Sequence, residues 1–370
     1  MRTALISDLH LGAVGRADVA LRPDALERLA EALAPADRIV LLGDLLEMRE
    51  RPVANLLEVT RPFFDALAGA AAGKPVTLVG GNHDHALVEP WLTRLRLGGE
   101  PLAAENQWPV EAGDRDGPAG WIASRLPGAE VTIAYPGLHL RPDVYATHGH
   151  YLDLHLTVPR LESIAASAMA RVTGRGSDSR SAADYEAVLA PMYGFYDGLA
   201  QAAPGATLER SGRMSRNVWS LATGDGTLAR VVLGRITIPG AVLALNRLGL
   251  GPFSPELTGD ELRRAGLLAM GRVAETLAPG VEHLLFGHTH RPGPMPDDEE
   301  AEWTTLSGTR LWNTGSWFIE PAFISERAER SPYWPGTVVW VEDDGPPRIE
   351  NALRGLAASA RLGRPRADPP

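Results

Sequence analysis

Five short clusters carry the residue types that bind divalent cations: Asp8-Leu9-His10, Gly43-Asp44, Gly81-Asn82-His83-Asp84, His148-Gly149-His150 and Gly287-His288-Thr289-His290. Asp8 and His10 stand two apart after an apolar run, so extended geometry turns both side chains to one side, where they can reach one ion. Asp44 offers two oxygens that can bridge two cations and Gly43 allows a sharp turn, although a Gly-Asp pair alone is more often a plain turn. Asn82 supplies a neutral oxygen, His83 a proton to donate, and Asp84 a carboxylate to orient that imidazole. His148 with His150, and His288 with His290, can feed one ion or two neighbouring ones, and His150 reads as a supporting residue. Glu47 reads as a helix N-terminal acid or a support rather than a ligand. His85 reads as a solvated surface histidine, and His139, His155 and His283 as structural or surface residues. Each cluster is a weak signal by itself, but five in one chain rarely coincide by chance.

Each cluster follows an apolar run that reads as a strand: Thr3-Ile6, Arg38-Leu42, Pro75-Val79, Val144-Thr147 and Glu282-Phe286. Helical patterns at Pro23-Leu33 and Val53-Ala71 separate the first three, the alternation of βαβ units with a largely parallel sheet. Ligands bind at the carboxyl ends of such strands, so the clusters should converge. Residues 98–130 read as a long excursion before a strand at Val131-Ala134. From Leu152 to Pro279 the pattern turns helical, over Pro159-Val172, Ala182-Ala203, Asn217-Leu248 with breaks, and Thr258-Leu277, with Thr258 and Glu261 as a capping box. Strands resume through Leu311-Asn313 and Thr337-Val341. The expected division is a core over 1–151 and 280–345, a helical insertion or cap over 152–279, and a poorly ordered tail over 346–370.

The chain has 370 residues, a formal charge of −10 and no cysteine. Thiolate sites and a cysteine nucleophile are therefore excluded, and any metal must sit on nitrogen and oxygen donors, which suit Mn, Fe, Zn, Co or Ni. The acidic balance disfavours nucleic acid as the partner. Val231-Leu250, interrupted by Arg235, Pro239, Asn246 and Arg247, is a poor match to the ~20 apolar residues of a bilayer span. A cleaved leader would remove Asp8 and His10, so a cytoplasmic protein is expected.

The ordered set Asp-x-His, Gly-Asp, Gly-Asn-His-Asp, His-Gly-His, Gly-His-x-His resembles the calcineurin-like metallophosphoesterase superfamily, over residues 1–97, 131–153 and 281–345. That resemblance implies an α/β fold, with two packed mixed β-sheets flanked by helices in a four-layer sandwich, and the insertion outside it. It implies one ion on Asp8, His10 and His290, a second on Asn82, His148 and His288, Asp44 bridging, and His83 with Asp84 beside the leaving group. Two such ions ~3.5–4 Å apart lower the pKa of a water between them and clamp phosphoryl oxygens. The hydroxide would attack phosphorus, and manganese is the ion the resemblance favours.

Ile6-Leu11, Gly43-Glu47 and a helical insertion before the last cluster are similar to the UDP-2,3-diacylglucosamine diphosphatases. This chain differs from them in carrying His83 where they have arginine, and in its longer insertion. The expected substrate is a phosphodiester or diphosphate, nucleotide-linked or lipid-linked. A phosphomonoesterase, acting on protein or nucleotide, is the competing enzyme reading. A catalytically silent scaffold is disfavoured by the full ligand set. Met192, Tyr193, Phe195, Tyr196 and Ile236-Leu245 fit either a cap that shelters acyl chains or touches a membrane surface, or ordinary core packing. Arg171, Arg175, Arg180, Arg210, Arg213 and Arg216 read as a solvated face or as phosphate contacts, and Trp108 and Trp121 as loop packing or a substrate mouth. Asn313-Ser316, flanked by Trp312 and Trp317, follows a strand and is given no catalytic role.

Overall fold

The computed structural model describes residues 1–15, 17–111, 117–175, 179–202, 239–255, 258–319 and 331–355. Strands β1 (Thr3–Ile6), β2 (Arg38–Leu42), β3 (Pro75–Val79), β4 (Asn106–Pro109), β5 (Glu130–Tyr135), β10 (Thr337–Val341) and β11 (Arg348–Asn351) form one sheet. Its order is β11-β10-β1-β2-β3-β5-β4. The second sheet holds β6 (Gly137–Arg141), β7 (Val144–Thr147), β8 (His283–Phe286) and β9 (Arg310–Asn313), in that order. β1, β2, β3 and β5 are mutually parallel, as are β7, β8 and β9, and antiparallel neighbours close the edges.

Alternation along the strands explains why the sheets face one another. Leu5 of β1, Val40 and Leu42 of β2, and Val79 of β3 meet Val144, Ala146 and Leu285 of the second sheet in one buried cluster. Their alternate neighbours Ala4, Ile6, Ile39, Leu41 and Leu78 turn the other way, into the cluster under the helices. A parallel strand covered on both faces reads as an unbroken apolar run, which is how these segments appear in the chain.

Helix α1 (Pro23–Leu33) starts with Pro23 in its first turn and buries Ala25, Leu29 and Leu33 at a spacing of four. Helix α2 is Val53–Ala71. The stretch 98–130 is not a structureless excursion: after α3 (Glu89–Gly98) it supplies the edge strand β4 and α4 (Pro118–Arg125). Its Asn-Gln-Trp-Pro sequence has no apolar alternation, and β4 is held by antiparallel pairing to β5. Trp108 stacks on Trp91 and Trp121 meets Phe64 edge-on, which favours the packing reading for both. At the other end β11 pairs with β10, so the sheet runs past Gly345 into the segment expected to be a tail; residues 356–370 lie outside those described.

Between the two halves of the core lie α5 (Leu161–Thr173), α6 (Ala182–Ala202) and α7 (Gly259–Leu277), and residues 239–247 are also helical. Thr258 Oγ1 caps α7 by accepting from the Glu261 amide at 3.1 Å, worth about 1 kcal/mol. The expected helix over 217–238, and Arg210, Arg213 and Arg216, fall outside the described residues. Arg171 donates to the Leu248 carbonyl and Arg175 pairs with Asp184, so these two hold the insertion together. Among the described residues no helix is long and apolar enough to cross a membrane.

Candidate metal centre

The five clusters leave the carboxyl ends of β1, β2, β3, β7 and β8 and meet. Pairing between β1 and β2 continues past both strands, through Asp8 N to Gly43 O, His10 N to Asp44 O and Leu11 N to Leu45 O at 2.9–3.1 Å. Glu47 therefore lies in this extended continuation and not at a helix start. Asp8, His10, Asp44, His288 and His290 all have positive φ, between 45° and 63°, and they are the only non-glycine residues among those described that do. Left-handed backbone is disfavoured for residues with a Cβ and persists where surrounding bonds enforce it, which marks functional sites.

Donor atoms from Asp8, His10 and His290 lie within 4.8 Å of one another, as do those of Asp44, His148 and His288, and of His10, Asp44 and His83. His10 Nε2 faces His290 Nε2 at 3.1 Å and Asp44 Oδ2 at 3.7 Å, and His290 Nε2 is 3.4 Å from Asp8 Oδ1. On the other side His148 Nε2 lies 3.2 Å from both Asn82 Oδ1 and Asp44 Oδ2. Ligands on ~2.1 Å bonds to a shared cation stand ~3 Å apart, so these donor sets fit two divalent ions with Asp44 between them.

Three of the four candidate ligand imidazoles have an orienting partner on one ring nitrogen. His10 Nδ1 bonds Glu47 at 2.9 Å, His148 Nδ1 donates to the Leu42 carbonyl at 3.0 Å, and His288 Nε2 bonds Asp153 at 3.0 Å. His83 Nδ1 is held by the same Glu47 carboxylate at 2.8 Å. This leaves the remaining nitrogens of His10 and His148 turned inward, the usual arrangement around a metal. Ser7 Oγ bridges Asp8 Oδ2 at 2.5 Å and Thr314 Oγ1 at 2.6 Å, and the Trp317 amide donates to the Asp8 carbonyl at 3.0 Å. Asn313-Ser316 thus reaches the site as backing for Asp8.

Two expected roles change. Asp84 does not face the His83 ring: its carboxylate accepts from the amides of Leu45, Leu46 and Gly81 at 2.7–3.2 Å, pinning the turns after β2 and β3 together. Burial and then the charge of Asp44 push its pKa up to about 6. His85 is buried, not solvated, because Glu186 of α6 accepts its Nε2 at 2.8 Å. His150, tilted behind His148, bonds the Tyr135 hydroxyl at 3.2 Å. His139 pairs with Glu105 near the surface, while His155 and His283 are buried. Sequence reasoning missed Asp153 and Arg49. Asp153 had no signal beyond its position one turn after His150, and Arg49 was one basic residue among many.

A family model for calcineurin-like phosphoesterases matches residues 1–185, half of the 370-residue chain. The chain belongs to the calcineurin-like phosphoesterases. It is accordingly a metal-dependent phosphoric ester hydrolase of a family that works with two metal ions. A crystal structure of a dimetal phosphatase from Danio rerio aligns over 95% of this chain and 99% of its own, at 12% identity and a TM-score of 0.31. So low a score leaves the assignment to the family model. No curated protein matches the sequence significantly.

The electrostatics of this phosphoesterase call for positive charge at the centre. Burial pushes His10 down, yet Glu47 and Asp44 outweigh it and raise its pKa to about 9. Burial likewise opposes His148, and Asp44 and Asp8 carry it up to about 10. Histidine coordinates a metal as the neutral imidazole, so cation binding here should release protons.

Close backbone approach gives a prediction. A Cβ on Gly287 would stand 2.3 Å from Asp8 Oδ2 and 2.7 Å from Ser7 Oγ, whereas one on Gly69 of α2 meets nothing within 4 Å. Gly287→Ala is expected to displace Asp8, destabilise the fold by ~1–3 kcal/mol and weaken divalent-ion binding at least ~10-fold. Gly69→Ala is expected to be neutral or stabilising by up to ~1 kcal/mol. Calorimetric titration with Mn²⁺ and thermal melts of both variants check this; equal metal affinity in Gly287→Ala would remove Asp8 from the ligand set.

Proposed function

We propose that this enzyme hydrolyses a phosphodiester or diphosphate. Asp8, His10 and His290 would hold one divalent ion, Asn82, His148 and His288 the other, with Asp44 shared, and manganese is our choice of ion. When bound, such ions supply Lewis acidity, lowering the pKa of water and neutralising charge on the phosphoryl group. The protein's own part is to place His83: Glu47 fixes its Nδ1, so Nε2 is the atom turned to the substrate side and able to protonate the departing oxygen.

The observation that carries the diester reading is a cavity of about 530 Å³ that opens off Asn82 and His83. Its walls are mainly apolar, with Leu92, Leu95 and Leu102 on one side and Ala187 and Pro191 of α6 on the other. An apolar compartment beside the proton donor has room for an organic group on the phosphate, and a diester or diphosphate carries a second such group to place. A nucleotide-linked or lipid-linked ester handled in the cytoplasm, at times against a membrane surface, fits those walls. We read 152–279 as a cap over a core of 1–151 and 280–351, because α6 supplies one wall of the cavity.

With purified protein and Mn²⁺, bis(p-nitrophenyl) phosphate is expected to be cleaved at least ~10-fold faster than p-nitrophenyl phosphate, and neither without a divalent ion. Preference for the monoester would move the enzyme to the phosphatases. No cleavage of either would make the scaffold reading the better one.

A further inference from the structure

We infer that Arg49 is the side chain that grips the substrate phosphate, and that Tyr196 of the inserted helix α6 holds it in position. This rests on the hydrolase reading above and adds to it a recognition residue outside the five clusters.

Arg49 is buried, only 6% exposed, and lines the 530 Å³ cavity together with Asn82 and His83. Its Nε donates to the Asn82 carbonyl at 3.1 Å. Nη1 stands 3.3 Å from His83 Nε2, and Nη2 is buried with no hydrogen-bond partner. A buried donor left unpaired, as Nη2 is, costs ~1–3 kcal/mol, which an oxygen of a bound ligand would recover. Among the described residues no carboxylate pairs with it. Glu47 is committed to two imidazoles, and Glu162 of α5 acts on Arg49 only through space. Tyr193, on the same cavity wall, also buries a hydroxyl without a partner.

What would satisfy these groups is a tetrahedral oxyanion. Arginine's planar fork presents two parallel N–H donors at the spacing of two phosphate oxygens. Nη2 has no partner and Nη1 faces only the His83 ring, next to the nitrogen from which His83 would give up its proton. A phosphate there lies between the metal ligands and the proton donor, with its organic arm along the apolar walls. Side-chain entropy would normally scatter a guanidinium of this kind. Here the Tyr196 ring lies 4.8 Å and the Tyr193 ring 5.9 Å from its carbon, a cation–π seat built by the insertion.

The test is inorganic phosphate binding to the Mn²⁺-loaded full-length protein, measured by calorimetry, for Arg49→Met, Arg49→Lys and Tyr196→Leu. Bound manganese and the melting temperature are measured on the same samples. Arg49→Met is expected to weaken phosphate and raise KM for bis(p-nitrophenyl) phosphate at least ~10-fold, with bound metal and melting temperature held. Arg49→Lys should recover part of the affinity, and Tyr196→Leu should lose less than Arg49→Met. Phosphate affinity within about twofold of the parent in Arg49→Met overturns the assignment, as does a loss that tracks metal content and melting temperature across the three variants. Binding needs no turnover, so a parent that binds phosphate through Arg49 yet cleaves no ester would sink the hydrolase reading and leave this one standing.

Discussion

Asp44→Asn is expected to lower Mn²⁺-dependent ester hydrolysis by about 10³-fold or more, with bound metal falling from two ions per chain to one or none. Asparagine is the informative replacement because it keeps what the fold needs. Asp44 has φ of 49°, a conformation asparagine tolerates and alanine resists. Its Oδ1 accepts from the His83 amide at 2.8 Å, which an amide oxygen can also do. What is lost is the charge that both sides of the site share, seen in the 3.2 Å approach to His148 and the 3.7 Å approach to His10. Carbonyl oxygen is a far weaker bridge between cations than carboxylate. Metal analysis and initial rates decide it: two ions retained with activity within ~10-fold of the parent would show that Asp44 is not the shared ligand.

The convergence of the five clusters was legible because each signal is local. An apolar run gives a strand, glycine gives the turn, and parallel topology brings the carboxyl ends of β1, β2, β3, β7 and β8 to one edge. The partners that orient the ligands were not legible, since each depends on contacts far along the chain. His85 looked like a surface residue, but Glu186, 101 positions later, returns on α6 to bury it. Asp153 meets His288 across 135 positions. Of the two readings of Glu47, helix start or support, the helix start fails, because nothing in Leu45-Leu46-Glu47 distinguishes a helical start from the extended pairing to Leu11. Asp84 beside His83 suggested an orienting pair, yet adjacent residues in a turn diverge, and its carboxylate went to backbone amides instead. The edge strands β4 and β11 are stabilised by pairing more than by burial, with half their side chains exposed, and so left little pattern.

Backbone strain is the feature that sequence could not reveal at all. Five candidate ligand positions lie in left-handed conformation, which costs up to ~1–2 kcal/mol per residue and less for Asp and His, which enter this region more readily than most. Hydrogen bonds between the turns that follow the strands hold them there: His288 N to Asp8 Oδ1 at 3.0 Å, His10 N to Asp44 O at 2.9 Å, and Trp317 N to Asp8 O at 3.0 Å. The core on both faces of the sheets supplies the stability against which this strain is set. Donor atoms fixed by such bonds would bind an ion with little further ordering cost.

His83→Gln is the second change expected to have a large effect, lowering kcat by ~10²–10³-fold for an ester with an alkyl leaving group. Its Nδ1 is fixed by Glu47 at 2.8 Å, so Nε2 is the ring nitrogen left to serve a leaving oxygen once Arg49 turns to a bound phosphate. Arg49 lies 3.3 Å from that Nε2, and burial followed by the guanidinium charge holds the imidazole below its ordinary pKa. A bound phosphate that draws Arg49 onto its oxygens would remove that opposition and let Nε2 carry the proton. A p-nitrophenyl group departs as a stable anion and needs no such proton, so the loss should be much smaller for bis(p-nitrophenyl) phosphate than for an alkyl diester. His83 also shares a donor group with His10 and Asp44, which makes it geometrically able to be a ligand. Metal content separates the two roles: a proton donor leaves both ions in place and a leaving-group-dependent defect, whereas a ligand loses metal and slows every ester alike.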